Sequence, residues 1–119
     1  MHKLKELKVW NKAISLSIEI YNISKGFPLE EKYGLTSQMR RCSISIASNI
    51  AEGAGRNSKN EFIHFLSIAN GSCYELQTQL IIANKLNFVS DEILQSVEIV
   101  IEEIQKMIYR FQDTLNSVK

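Results

Sequence analysis

The amino-acid sequence predicts an all-α fold, an antiparallel up-and-down four-helix bundle that forms one domain over residues 1–119. The chain of 119 residues is long enough to build one core and too short for two independent cores. It contains one proline and five glycines, which are too few for the many turns of an all-β protein. Apolar residues recur every three or four positions in four long segments, which is the period of an α-helix.

The first predicted helix covers about residues 6–25 and has a wide apolar face. One stripe of this face contains Val9, Ala13, Leu16 and Ile20, and the adjacent stripe contains Leu7, Trp10, Ile14, Ser17 and Tyr21. Pro28 follows soon after the helix. Because proline cannot continue the helical hydrogen-bond ladder and disfavours helix at the residue before it, we expect a loop there.

The second and third predicted helices cover about residues 35–54 and 59–86. Ser58 and Glu61 have the spacing of a capping box that starts the third helix. Gly55 is expected to end the second helix in the left-handed backbone conformation. Because the connection between them is short, the two helices should form an antiparallel hairpin.

The position of the hairpin turn sets the register between these two helices. Residues whose numbers sum to about 115 should lie at the same height on the two helices. This rule predicts an ion pair of Arg40 or Arg41 with Glu75, and it places Cys42 level with Cys73. A cytosolic setting and an apolar stripe favour reduced thiols over a disulfide between these cysteines.

The fourth predicted helix covers about residues 91–116, with Ser90 as its N-cap and acidic residues in its first turn. Leu94 and Ile101 form a second apolar stripe beside its main seam. This surplus of apolar surface predicts that the fourth helix contacts another subunit. A helix that is deeply buried within a monomer is the alternative.

Positive charge is concentrated in the first half of the chain. Residues 1–60 contain ten Lys/Arg against five Asp/Glu, a net +5, whereas residues 61–119 contain four against eight, a net −4. A basic face of this kind suits an anionic polymer, and complementary packing of the two halves is the alternative. The candidate residues for nucleic-acid binding are Arg40, Arg41, Arg56 and Lys59.

Asn49, Glu52 and Arg56 are spaced three and four apart, so they project from one side of the second helix. They either form part of a polar pocket, with Arg56 as a phosphate contact, or satisfy the backbone where that helix ends among glycines. In the third helix, Glu75 interrupts the apolar stripe. We therefore predict a structural polar network that includes Asn49, Glu52 and Glu75.

The sequence contains no recognisable catalytic or cofactor-binding motif. His2, His64, Cys42 and Cys73 lack the spacing of metal ligands, and there is no Glu-x-x-His motif, phosphate-binding glycine loop or catalytic triad. We expect no enzymatic activity, no metal and no cofactor. No apolar segment approaches the length of a membrane span and the N-terminus lacks the apolar core of a signal peptide, so we expect a cytoplasmic location without membrane contact.

Several strings in this sequence resemble a known protein family. They are SIASNIAEGAGRNSKNEF at 45–62, FLSIANGSCYEL at 65–76 and, upstream, Val9-Trp10, Phe27-Pro28, Tyr33-Gly34-Leu35, Gln38 and Arg40-Arg41. They are similar to the four-helix-bundle proteins found in intervening sequences of bacterial 23S ribosomal RNA. The resemblance implies an up-and-down bundle that assembles as a homopentamer and has no known enzymatic activity. Relatives include the accessory protein of diversity-generating retroelements, a basic pentameric barrel that binds nucleic acid and a reverse transcriptase.

Two hypotheses about function follow from the sequence. The first is a non-enzymatic oligomeric bundle that binds RNA or DNA through basic helix faces, and this hypothesis predicts binding that weakens steeply with added salt. The second is a scaffold that recruits a protein partner through its ring surface without binding nucleic acid. A small hydrolase or metal enzyme is disfavoured because the sequence shows no clustered ligands and no base–nucleophile pair.

Overall fold

A computed structural model describes residues 2–117 as a bundle of four α-helices. The helices are α1 (Lys8–Ser24), α2 (Leu35–Ala54), α3 (Lys59–Lys85) and α4 (Asp91–Ser117). Short 3₁₀ turns at Leu4–Glu6 and Leu29–Glu31 precede α1 and α2, and no β-strand occurs between residues 2 and 117. The all-α prediction is confirmed, and every predicted helix boundary lies within two residues of the observed one.

Contacts between neighbouring helices show that the chain runs up and down. The pairs are Ser45 with Ser72 and Gly53 with Phe62 between α2 and α3, and Asn70 with Gln105 and Gln77 with Glu98 between α3 and α4. In both hairpins the residue numbers rise on one helix as they fall on the other, which is the antiparallel arrangement. The bundle is elongated, with extents of 50 × 23 × 20 Å.

One apolar core runs along the bundle, and all four helices contribute to it. From α4 it receives Val97, Ile101, Ile104, Ile108 and Leu115. Ile101 is fully buried, and Leu94 is half-buried against the same core. The prediction that these two residues form a spare stripe on α4 is therefore wrong, because α4 is rotated so that Ile101 lies at the centre of its buried face.

The α2–α3 corner depends on close packing at Gly53. A Cβ atom at this position would lie 2.8 Å from both Phe62 Cδ1 and Phe65 Cβ, so only glycine fits without a shift. Gly55 has φ −82° and ψ −5°, which is right-handed, so the predicted left-handed ending of α2 is wrong. The Gly55 N–H still closes the helix by donating to the Ala51 carbonyl at 3.1 Å.

Side chains cap both later helices as the sequence predicts. The Ser58 hydroxyl accepts the Glu61 N–H at 3.3 Å, and the Ser90 hydroxyl accepts the Ile93 N–H at 3.2 Å. Between residues 2 and 117, the residue with a left-handed backbone is Asn87, with φ 66°, just after α3. It allows the Phe88 N–H to donate to the Ala83 carbonyl at 2.8 Å, which satisfies the end of α3 and turns the chain into α4.

Candidate functional site

The second apolar stripe of α1 does not enter the core but borders an open groove. This apolar groove has a volume of about 620 Å³ and lies between α1 and α2. Its apolar lining residues are Trp10, Ile14, Ile18 and Tyr21 from α1 and Ile44, Ala47 and Ala51 from α2. Ile18 is 58% exposed, which is unusual for an isoleucine on a helix that also contributes to the core.

Small residues on α2 keep the apolar groove open. Ala47 and Ala51 present only methyl groups towards the large side chains of α1, so no side chain of α2 covers them. Within the same groove, the Ser17 hydroxyl is buried and has no hydrogen-bond partner between residues 2 and 117. Exposed apolar patches of this kind mark interaction surfaces. This apolar surface lies on α1 and α2, and α4 also exposes Ile93, Ile99 and Tyr109.

Arg40 is occupied in holding α1 against α2. Its Nε donates to Ser24 Oγ at 2.8 Å and its Nη2 donates to the Tyr21 carbonyl at 3.4 Å. The guanidinium also lies over the Tyr21 ring, 4.7 Å from its centroid. The predicted ion pair of Arg40 with Glu75 is wrong because Arg40 points towards α1, on the opposite side of α2 from α3.

Arg41 points towards α3 but does not pair with Glu75 either. The two residues border the same hollow, but no ion pair joins them, whereas Lys12 pairs with Glu103 and Arg56 with Glu52. The register is nevertheless as predicted, because the Cys42 thiol reaches the Ser72 carbonyl at 3.2 Å and the Glu75 carboxylate at 3.6 Å. The register rule therefore predicts correctly which residues lie level with each other along the bundle. It does not predict the contact partner of Glu75.

Arg56 and Lys59 lie together at the α2–α3 corner. Arg56 pairs at 3.2 Å with Glu52, four residues before it, and its guanidinium lies 4.9 Å from the Phe65 ring centroid. Both residues border a small hollow with His2, whose ring packs 4.9 Å from that of Phe62. The N-terminal segment therefore lies beside this corner.

This end of the bundle carries several exposed cations. We define the basic end as Lys3, Lys5, Lys8 and Arg56, all of which are exposed. Lys12, one turn further along α1, is half-buried and pairs with Glu103, whereas Arg56 stays exposed in its pair with Glu52. Arg41 is about 20 Å from the end of α2 at Ala54, from thirteen residues at 1.5 Å each, and Arg56 lies beyond that end. The four arginine and lysine candidates from the sequence therefore do not form one patch.

A polar network joins α2 to α3 at mid-height. The Asn49 amide donates to the Ser45 carbonyl at 2.8 Å and to its hydroxyl at 3.0 Å, and that hydroxyl lies 2.9 Å from Ser72 Oγ. The backbone carbonyl of Ser72 in turn accepts from the Cys42 thiol, whose sulfur also lies 3.6 Å from Glu75 Oε1. Asn49 and Glu75 thus belong to one connected network, whereas Glu52 lies outside it in its pair with Arg56.

The two cysteines are free and buried, and their chemistry is that of neutral thiols. Burial raises the pKa of Cys42 to about 12, and the neighbouring Glu75 carboxylate adds to the rise. Burial also raises the pKa of Cys73 to about 12. A thiol needs a lowered pKa to act as a nucleophile near neutral pH. Within residues 2–117, no three His, Cys, Asp or Glu side chains are grouped so as to hold a metal ion.

No helix in the described part of the chain is long and apolar enough to cross a membrane.

The exposed His64 ring lies 5.8 Å from that of Phe65 on the surface of α3.

Comparisons with known proteins agree with this fold. A family model described as "23S rRNA-intervening sequence protein" matches residues 5–110. The fold is similar to a crystal structure from Bacteroides thetaiotaomicron at 1.70 Å resolution, described as a protein of unknown function from the S23 ribosomal protein family. The two chains are 25% identical with a TM-score of 0.81, and the match covers 88% of this chain and 95% of that one. No curated protein matches this sequence.

Proposed function

This chain belongs to the 23S rRNA-intervening sequence protein family, and from that premise we propose that it is a non-enzymatic bundle that self-assembles through its apolar groove and binds RNA at its basic end. The single observation that carries the proposal is the open apolar groove between α1 and α2. By family resemblance, the assembly proposed is a ring of five subunits. A scaffold that recruits a protein partner without binding nucleic acid is the competing function.

The charge of the chain favours a second copy as the occupant of the apolar groove. The half that contains α1 and α2 has a net charge of +5, and the half that contains α3 and α4 has −4. Opposite potentials on two faces of one molecule favour contact between unlike faces of neighbouring copies. Such head-to-tail contacts close into a ring when the rotation between copies allows it.

RNA binding is proposed at the basic end because its cations are exposed and lie together. Phosphate groups are bound by dispersed lysines and arginines without any sequence motif. Lys3, Lys5 and Lys8 enter the candidate set from the structure, since the N-terminal segment packs beside the α2–α3 corner. Arg40 leaves that set because Ser24 and Tyr21 occupy its guanidinium.

The assembly is tested by the solution mass of two variants. Ile18→Asp places a charge in the apolar groove, and Leu29→Asp places the same charge on a residue that is 86% exposed outside it. We expect the wild type and Leu29→Asp to sediment as the same oligomer and Ile18→Asp to sediment as a smaller species with unchanged helix content. A monomeric wild type, or an intact Ile18→Asp oligomer, would contradict the proposal.

RNA binding is tested with two triple variants that change the charge equally. The first replaces Lys3, Lys5 and Lys8 by alanine, and the second replaces Lys25, Lys32 and Lys85, which lie at the opposite end of the bundle. Binding of a structured RNA is measured over a series of salt concentrations. A plot of the logarithm of the binding constant against the logarithm of the salt concentration has a negative slope. The first variant should reduce the magnitude of this slope by about 2–3, and the second should leave it unchanged. Undetectable or salt-independent binding by the wild type would favour the scaffold.

A further inference from the structure

A second opening, between α2 and α3, has the opposite chemical character to the apolar groove. This polar hollow has a volume of about 330 Å³ and lies on the flank of α2 that faces α3. It is lined by Gln38, Arg41, Cys42 and Ser45 from α2 and by Glu75 and Gln79 from α3. Its size is near the lower limit of ligand pockets, which range from about 300 to 1,000 Å³, so a ligand must be small.

Two opposite charges border the polar hollow without neutralising each other. Arg41 and Glu75 are both exposed, and the guanidinium forms no ion pair or hydrogen bond with any residue from 2 to 117. Among residues 2–117, the hydrogen-bond contact of the Glu75 carboxylate is the Cys42 thiol at 3.6 Å, and the single proton of that thiol has a closer acceptor in the Ser72 carbonyl at 3.2 Å. The hollow therefore offers a donor for an anionic group on its α2 side and an acceptor for a cationic group on its α3 side.

Gln79 adds a buried acceptor that lacks a donor. Its side chain is 7% exposed, and its Oε1 has no hydrogen-bond partner between residues 2 and 117. Native proteins satisfy the large majority of buried polar side-chain atoms, and this oxygen gains a partner from the hollow when the Gln79 side-chain amide turns towards it. Gln79 lies one helical turn beyond Glu75, on the same flank of α3.

We propose that the polar hollow binds a free α-amino acid in its zwitterionic form. The carboxylate is bound by the Arg41 guanidinium, which matches it with two parallel N–H groups. The ammonium group donates to the Glu75 carboxylate and, once the Gln79 side-chain amide turns towards the hollow, to Gln79 Oε1. Both charges of the site and the orphan acceptor are then satisfied by one small molecule. The proposal does not depend on RNA binding or on assembly.

Other small ligands fit the lining less well. A nucleobase is neutral, so it would leave Arg41 and Glu75 without counter-ions. Unpaired bases are typically stacked on aromatic rings or guanidinium planes, and this hollow has no aromatic lining residue, so a base would have only the Arg41 guanidinium to stack on. A metal ion would find one carboxylate and a Cys42 thiol that stays protonated, since burial and Glu75 both disfavour the thiolate.

Isothermal titration with each standard L-amino acid at millimolar concentration tests the proposal. At least one amino acid should bind the wild-type chain. The N-acetyl methylamide of that amino acid, which lacks both the ammonium and the carboxylate charge, should not bind. Arg41→Met and Glu75→Gln should each weaken binding by at least about tenfold. Lys106→Met and Glu102→Gln are the matched controls, because they remove the same charges from exposed positions on α4, and both should bind like the wild type.

Gln79→Leu provides a second readout. Without ligand, this variant should raise the thermal midpoint, since it removes a buried acceptor that has no donor. It should also lose amino-acid binding. The proposal is overturned if no standard amino acid binds the wild type, if the Arg41 and Glu75 variants bind as tightly as the controls, or if guanosine monophosphate binds and is lost in the same variants.

Discussion

Replacing Gly53 by alanine tests whether the α2–α3 corner is as tightly packed as the structure shows. The added Cβ would lie 2.8 Å from Phe62 Cδ1 and from Phe65 Cβ, and 3.3 Å from the Phe62 carbonyl oxygen. Carbon atoms in favourable contact are about 3.5–4.0 Å apart, so the methyl group would be about 0.7–1.2 Å too close to the side chains of both phenylalanines. Because Phe65 Cβ is fixed to the backbone of α3, the two helices must separate.

The magnitude follows from two opposing terms. Inserting a methyl group into a packed core typically costs about 1–3 kcal/mol. Alanine is favoured over glycine in a helix interior by up to about 1 kcal/mol, and this gain is smaller at Gly53 because α2 ends one residue later. We therefore expect the free energy of unfolding to fall by about 1–2 kcal/mol.

Gly71→Ala is the matched control, because Gly71 lies within α3 and a Cβ there would meet no heavy atom within 4 Å. This variant should raise the free energy of unfolding by up to about 1 kcal/mol. Both variants are unfolded in urea in the Ile18→Asp background, so that self-association does not contribute. A Gly53→Ala chain as stable as its parent, beside a stabilised Gly71→Ala chain, would refute the tight corner.

Two further predictions concern Arg40 and the cysteines. Arg40→Ala should lower the free energy of unfolding by about 1–2 kcal/mol in urea, because it removes charged hydrogen bonds to Ser24 and Tyr21, whereas Arg41→Ala should change it by less than about 0.5 kcal/mol. Equal effects would contradict the different roles assigned to the two arginines. Stability should be unaffected by the thiols below pH 9 and should fall between pH 9 and about 12, since the unfolded chain releases protons that buried Cys42 and Cys73 retain. The slope, up to about 1.4 kcal/mol per pH unit for each thiol, should decrease in Cys73→Ala, and an unchanged slope would count against the raised pKa.

The helices were predictable because local signals and the apolar period agree along this chain. Ser58 and Ser90 each stand where a helix begins, and their hydroxyls accept the N–H groups that the cap requires. Pro28 separates α1 from α2 as expected. The short corner fixes the antiparallel register, so the heights of Cys42 and Glu75 on neighbouring helices also follow from the sequence.

Features that depend on helix rotation were not predictable from spacing alone. Arg40 and Arg41 are neighbours in sequence but about 100° apart around the helix, so one reaches α1 and the other borders the polar hollow. Ile101 fits either a core or a surface stripe until the rotation of α4 is known. The backbone at Gly55 and Asn87 was also ambiguous, since both residue types tolerate left-handed geometry and only Asn87 adopts it.

The apolar groove and the polar hollow lie on either side of α2 and have different requirements for a partner. Because of this difference, assembly and amino-acid binding can be tested separately. Apolar surface gains about 25 cal/mol for each Å² removed from water, so the apolar groove is stabilised by being covered with protein. The polar hollow is lined by charges and amides that water also solvates, so it can stay open until a small solute enters. Ile18 lies on the α1 side of α2 and Glu75 on the α3 side. Ile18→Asp should therefore break the assembly while leaving amino-acid binding intact, and Glu75→Gln should do the reverse.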